Sequence, residues 1–249
     1  METKTVLITD VNADAGMQCV QTFLSKGYHV SAMFSGNHPD DSNVEWIEAE
    51  ILDPESYFPF LSNVHLIVHN ATMISFKTED HQKLKAVNTI ATRDLVNNAL
   101  LAGVKEMIFM SSAYTLIRSA EPQLISTTAV GNPVFLNHYT QTMFQAELEM
   151  HRAAAEGMKI CILNCALVKD QTEAEPSAFG RLMHTISKYP QLFHQQLPYI
   201  STDDLKQHIL KVVDENYGDG NFYYFQKDQT SKATSKTLKY KMEHKKFHC

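Results

Sequence analysis

The stretch VLITDVNADAGMQCV, Val6 to Val20, runs from an apolar strand through a tight turn into the opening of a helix. Such a turn exposes backbone N–H groups at the positive end of the helix, and the chemistry it can do is to grip the pyrophosphate of a dinucleotide. That grip needs glycines, so that the backbone can close on the phosphate. Here Gly16 alone is left, and Asp10, Val11, Ala13 and Asp14 fill the turn. A carboxylate about 4 Å from a phosphate, at an effective dielectric near 20, repels it by about 4 kcal/mol. This corresponds to roughly a thousandfold in affinity. Asn12 or Asp14 is placed to accept from the first N–H groups of the helix. The sequence therefore implies that the protein supplies its own anion to this site. A competing reading makes Asp14 an N-cap and turns Asp10 to solvent, with room for a re-posed cofactor.

Other residues able to do chemistry are Ser111 and Ser112, which end the run EMIFMSS, and Tyr139, which opens a helix beside His138. The two serines can also cap or hydrogen-bond locally. The imidazole of His138 titrates near neutrality and could serve as a base or relay, although a histidine at a helix start is commonly a surface residue. Met73, Met107, Met110, Met143 and Met183 read as apolar-face residues of the core; several of them around a cleft would suit an apolar ligand. The four cysteines, Cys19, Cys161, Cys165 and Cys249, lack a CxxC spacing and read as reduced thiols. His244, His248 and Cys249 could hold a metal, but they stand in a lysine-rich tail, and no metal site is expected.

Positioning these groups requires a sheet. Short apolar runs (TVLIT, HVSAMF, VEWIEA, VHLIVHN, EMIFMSS, KICILNC) alternate with helical spacing over 14–26, 54–61, 79–102 and 137–157. That alternation is the signature of βα units and a parallel sheet. Gly27, Gly103 and Gly157 fall where helices should stop. A length of 249 residues suits one α/β domain. The net charge of −6 divides into about −11 on the body and about +5 on the stretch from Lys227 onward, whose lysine-rich tail, 228–249, is expected to be solvated. This balance speaks against nucleic acid and anionic membranes as partners. No apolar run approaches a membrane span and the opening METKTVLITD has no signal-peptide pattern, so a cytoplasmic protein is expected.

HNATMISF, VNTIATRDLVNNALLAGVKEMIFMSSA, YTQTMFQAELEMHRAAAEGMKICILNCALV and YISTDDLKQHILKVVDENYGDGNFYYF occur in this order. Together they resemble the short-chain dehydrogenase/reductase superfamily over about residues 4–226. The likeness is to its extended branch of epimerase/dehydratases, dihydroflavonol reductases and hydroxysteroid dehydrogenases. The resemblance implies a Rossmann-like doubly wound parallel sheet flanked by helices, with a small substrate-side region within about 170–227. It implies that Ser112 hydrogen-bonds a substrate carbonyl, that Tyr139 transfers the proton and that Asn88 supports the relay. It also assigns Thr9, Asn12, Gly16, Glu50, Ile51, Asn70, Ala71 and Ser111 to relict cofactor positions.

Several of the resembled positions depart from the pattern. The family lysine four residues after the tyrosine, on the same helical face, is Met143. Without a cation a phenol of pKa about 10 is ionised in roughly one molecule in a thousand at neutral pH. Phe34 and Ser35 stand where an acid or an arginine would meet the ribose, Cys165 replaces a proline near nicotinamide, and Asp170 replaces the following glycine. The expectation is a divergent member with an impaired dinucleotide site and no tightly bound cofactor, acting as a non-redox enzyme or small-molecule-binding protein around Ser112 and Tyr139. Two alternatives stand beside it. One is an active NAD- or NADP-dependent reductase or epimerase/dehydratase on a small, rather apolar carbonyl or hydroxyl substrate. The other is a pseudoenzyme that binds a protein partner or forms a homo-oligomer.

Overall fold

The computed structural model describes residues 3–12, 15–38, 40–116, 135, 137–165, 167–169, 199–214, 222–225 and 238–240. In chain order these form β1 (Thr5–Ile8), α1 (Gly16–Ser25), β2 (His29–Phe34), β3 (Val44–Glu48), α2 (Pro54–Tyr57) and β4 (Leu66–His69). Then come α3 (His81–Leu84), α4 (Ala91–Ala102), β5 (Glu106–Ser112), α5 (His138–Ala155) and β6 (Lys159–Cys165). The last elements are β7 (Leu167–Lys169), β8 (Tyr199–Ser201), α6 (Thr202–Asp214), β9 (Phe222–Phe225) and β10 (Leu238–Tyr240).

Eight strands make one sheet in the order β10-β9-β6-β5-β4-β1-β2-β3. From β3 to β9 every pairing is parallel, and β10 alone runs antiparallel, against β9. The expected Rossmann-like doubly wound architecture is therefore present. Strand order reverses between β1 and β4, and the crevice at such a switch point is where open α/β sheets bind ligands. Both faces of the sheet are covered, which is why its strands read as unbroken apolar runs. On one side Val6, Val68 and Leu163 pack with Phe23 of α1 and Leu205 and Ile209 of α6. On the other Leu7, Met107 and Phe109 pack with Leu95 and Val96 of α4 and Met150 of α5. β7 and β8 pair parallel as a separate two-stranded sheet.

Local chemistry accounts for the departures from the expected elements. The helix anticipated over 54–61 is α-helical only to Tyr57 and continues as a 3-10 turn over Phe58–Asn63. Pro59 has no N–H to donate and its ring crowds the preceding turn, so the α-helix cannot pass through it. The helix anticipated over 79–102 contains a π-helical turn, Lys85–Ile90, between α3 and α4. Helix α5 begins where Asn137 accepts the Thr140 N–H at 2.9 Å, in a capping box with the Thr140 hydroxyl. All three glycines expected to stop helices lie at positive φ. At Gly103 the left-handed residue closes α4, its N–H donating to the Leu100 carbonyl.

Cys19, Cys161 and Cys165 are free and buried. Cys249, His244 and His248 lie outside the described residues, among which no group of three or more His, Cys, Asp or Glu side chains could hold a metal. Among the same residues no helix is long and apolar enough to cross a membrane. Within the stretch read as a solvated tail, Leu238–Tyr240 supplies the edge strand β10.

Candidate functional site

The turn after β1 is tied up by its own side chains. The Asp10 carboxylate accepts the Asn12 N–H at 2.8 Å. Asn12 in turn accepts the Ser35 N–H at 3.1 Å and donates Nδ2 to the Asn37 carbonyl at 3.1 Å. This corrects the Asn12 half of the expectation that Asn12 or Asp14 accepts from the first N–H groups of α1. The N-cap position is Ala15, whose methyl side chain has no acceptor to offer, while the donor and acceptor ends of the Asn12 amide match the backbone of the loop after β2. Ala13 and Asp14 lie outside the described residues. Gly16 is required by the packing: a Cβ there would stand 2.3 Å from the Asp10 carbonyl oxygen and 2.5 Å from Val11 Cα.

At the switch point Thr9 gathers the end of β4. Its hydroxyl oxygen accepts the N–H groups of Asn70 (3.0 Å) and Ala71 (3.1 Å) and lies 3.0 Å from His69 Nδ1. With both lone pairs engaged, the one hydroxyl proton goes to Nδ1, so His69 carries its own proton on Nε2 and donates it to Thr92 at 2.8 Å. Burial drives the His69 pKa from 6.5 down to about 3, and the ring is neutral. Asn70 donates Nδ2 to the Asp10 carbonyl at 3.0 Å.

On the outer strands Glu50 is exposed, its backbone N–H and carbonyl both bonded to Ser56, while Ile51 packs against the α4 and α5 side of the core. Phe34 meets the His38 ring at 4.4 Å, and His38 stacks on Trp46 at 4.7 Å.

Ser112 and Tyr139 come together. Both are buried, and their side chains share a hydrogen bond. Desolvation pushes the Tyr139 phenol up to about 12, outweighing the bond from Ser112, and the nearby Cys165 and Glu147 act in the same upward direction. Met143 follows one turn later with 1% of its surface exposed, in the apolar cluster that also holds Tyr139. Phe76 meets Tyr139 edge-on at 5.6 Å. His138 is half-buried and stacks on His81 at 4.0 Å.

The fully buried Asn88, in the π turn, accepts the Met73 N–H at 2.7 Å and donates to the Met73 carbonyl at 2.9 Å and to Thr142 at 3.2 Å. Its amide thereby fastens the segment after β4 to the first turns of α5. Ser111 donates to the Glu147 carboxylate. Glu147, His69, Thr115 and Asn164 are polar residues of this region that the sequence reading passed over. Glu147 was legible in principle, since it follows Met143 by four on the same face of α5.

Residues 51–235 match the family model described as male sterility protein, an NAD-binding family. The match begins beyond the turn after β1. A sterol demethylase protein B from Methylococcus capsulatus is 27% identical over 185 residues, 71% of this chain and 55% of that protein. The chain spans about half the length of the curated relatives it matches. Among solved structures, a short-chain dehydrogenase/reductase superfamily protein from Agrobacterium tumefaciens with bound NAD has a TM-score of 0.72 at 19% identity, covering 89% of this chain and 77% of that one. The dTDP-glucose 4,6-dehydratase DesIV from Streptomyces venezuelae has a TM-score of 0.70 at 16% identity, covering 88% and 74%. The chain belongs to the male sterility protein family of NAD-binding domains, within the short-chain dehydrogenase/reductase superfamily and its epimerase/dehydratase-like branch.

Proposed function

We propose that this protein is a small-molecule-binding member of its family that has given up nicotinamide redox chemistry and uses Ser112 and Tyr139 as the hydrogen-bonding centre of its pocket. The observation that carries the reading is the buried face of α5: a phenol held up to about 12, with Met143 where a lysine would lower it. Such a phenol donates a hydrogen bond to a carbonyl or hydroxyl but is a poor group for exchanging a proton near neutrality. The residues around the nucleotide crevice also fit a dinucleotide poorly. The Asn12 N–H already serves the Asp10 carboxylate, Asn12 bridges the loops after β1 and β2, and His38 covers Phe34. The three buried free thiols accord with a reducing, cytoplasmic setting.

Calorimetry on the wild type beside an Asp10→Gly/Ala13→Gly double variant tests this. NAD(H) and NADP(H) should bind the wild type no tighter than about millimolar, since a thousandfold penalty on a micromolar site lands there, and the variant should bind better. Micromolar binding to the wild type overturns the reading. A second reading, an active NAD(P)-dependent reductase or epimerase/dehydratase, is favoured by the family membership and the retained Ser112–Tyr139 bond. Steady oxidation of NADH or NADPH against a small apolar ketone would decide for it.

A further inference from the structure

Glu147 lies on α5 two turns beyond Tyr139, buried, and has no part in the chemistry above. Its Oε1 is approached from three places in the chain: by Ser111 at the end of β5, by Thr115 in the following 3-10 turn at 2.9 Å, and by Asn164 of β6 at 2.7 Å. Thr115 Oγ1 also lies 2.8 Å from the main-chain oxygen of Ser112, and Asn164 Nδ2 lies 3.1 Å from Thr115 Oγ1. A charged side chain has thus been placed in a cluster otherwise made of neutral groups.

Counting protons decides its state. A threonine hydroxyl donates once and accepts twice. With Glu147 ionised, Oε1 keeps its Ser111 and Asn164 donors and the Ser112 carbonyl lies 3.5 Å from Asn164 Nδ2, but the single Thr115 proton must serve two close oxygen–oxygen contacts, to the carboxylate and to the Ser112 carbonyl, and one of them is left with no proton between the oxygens. With a proton on Oε1 directed at Thr115, Thr115 donates to Ser112 while accepting from Glu147 and Asn164, and every group is matched. Burial works in the same direction, raising the carboxyl from 4.5 to about 7 against the pull of its three hydrogen bonds. The other titratable groups here are Tyr139 and His151 on the same helix and, beside Tyr139, Cys165 at the end of β6. Burial pushes the phenol and the thiol upward and holds His151 below its ordinary 6.5, toward the neutral ring.

We infer that Glu147 is a positioning residue that works through its proton. Held as the neutral acid, it keeps Thr115 on the Ser112 carbonyl and so sets Ser112 against Tyr139; ionised, it draws the Thr115 proton to itself and loosens that clamp. The consequence for a ligand rests on the reading of Ser112 and Tyr139 given above, while the clamp itself does not.

Infrared difference spectroscopy in pH steps between about 5 and 9, a range that brackets the carboxyl, follows the carbonyl band of a buried carboxylic acid. In the wild type a band should disappear with a midpoint near neutrality. It should be absent from Glu147→Gln, shifted in Thr115→Val, and restored to its wild-type place in Thr115→Ser. With carbon-labelled tyrosine, the Tyr139 resonance, assigned through Tyr139→Phe, should move with the same midpoint in the wild type and stay fixed in Glu147→Gln. A missing band, a band that survives Glu147→Gln, or a Tyr139 resonance that ignores the titration overturns the inference. Should Glu147→Gln fail to fold, the band position in Thr115→Val and Thr115→Ser carries the same decision. None of these readouts involves a dinucleotide, so their failure is distinguishable from failure of the calorimetry.

Discussion

Tyr139 and Met143 share the buried face of α5 one helical turn apart, so an apolar thioether follows the phenol where a cation would be needed to ionise it. With the phenol held up to about 12, Tyr139 stays protonated near neutrality and is a hydrogen-bond donor.

Met143→Lys should therefore fail to produce a carbonyl reductase with NADH or NADPH, because the turn at Asp10 and the loop at Phe34 remain as they are. It should also lower the melting temperature, since position 143 is 1% exposed and an ammonium there has to be buried or to push its way out. Enzyme assays and thermal denaturation read the two effects; an ordinary reductase rate would show an intact cofactor site.

Gly16→Ala should destabilise the protein whatever it binds. The added Cβ meets backbone, 2.3 Å from the Asp10 carbonyl oxygen, and backbone cannot step aside as a flexible side chain can. A loss of about 2–3 kcal/mol is expected, in the range of an overpacked core. Denaturant unfolding measures it, and a neutral result would show that the turn sits farther from α1.

His69 and Glu147 should bend the pH profile of stability in opposite senses. The His69 pKa is about 3 in the folded chain against 6.5 unfolded, so the unfolded chain binds more protons between these values. Stability is then full above about pH 6.5 and is lost as pH falls toward 3, by a few kcal/mol. His69→Gln should flatten that acid limb in urea titrations followed at several pH values.

For Glu147 the folded pKa is about 7 against 4.5 unfolded, so the folded chain binds more protons between them. Its contribution is full below about pH 4.5 and is lost as pH rises through 7, again by a few kcal/mol. Glu147→Gln should remove this loss and leave the His69 limb in place. An unchanged slope between pH 5 and 7 in that variant would count against the neutral acid.

Trp46 is the only tryptophan of the chain, and His38 lies stacked on it. His38→Ala should uncover the indole and shift its emission to the red. Emission identical to the wild type would mean that His38 does not stack on Trp46 in solution.

The sequence by itself determined the succession of the first six strands along the chain, the helix stops and the shared helical face of Tyr139 and Met143. Each of these depends on spacing within one element: apolar runs that must be buried, glycines at positive φ, and residues four apart on one helical face. The tertiary structure alone decided which polar groups meet. His69 finds Thr9 sixty residues away, Glu147 finds Ser111 across thirty-six, and Asn12 is taken from the helix it precedes by a loop twenty-three residues on. Periodicity reports the face a side chain turns to, whereas a hydrogen-bond partner, and with it the protonation state of His69 or Glu147, depends on which strands the sheet has set side by side.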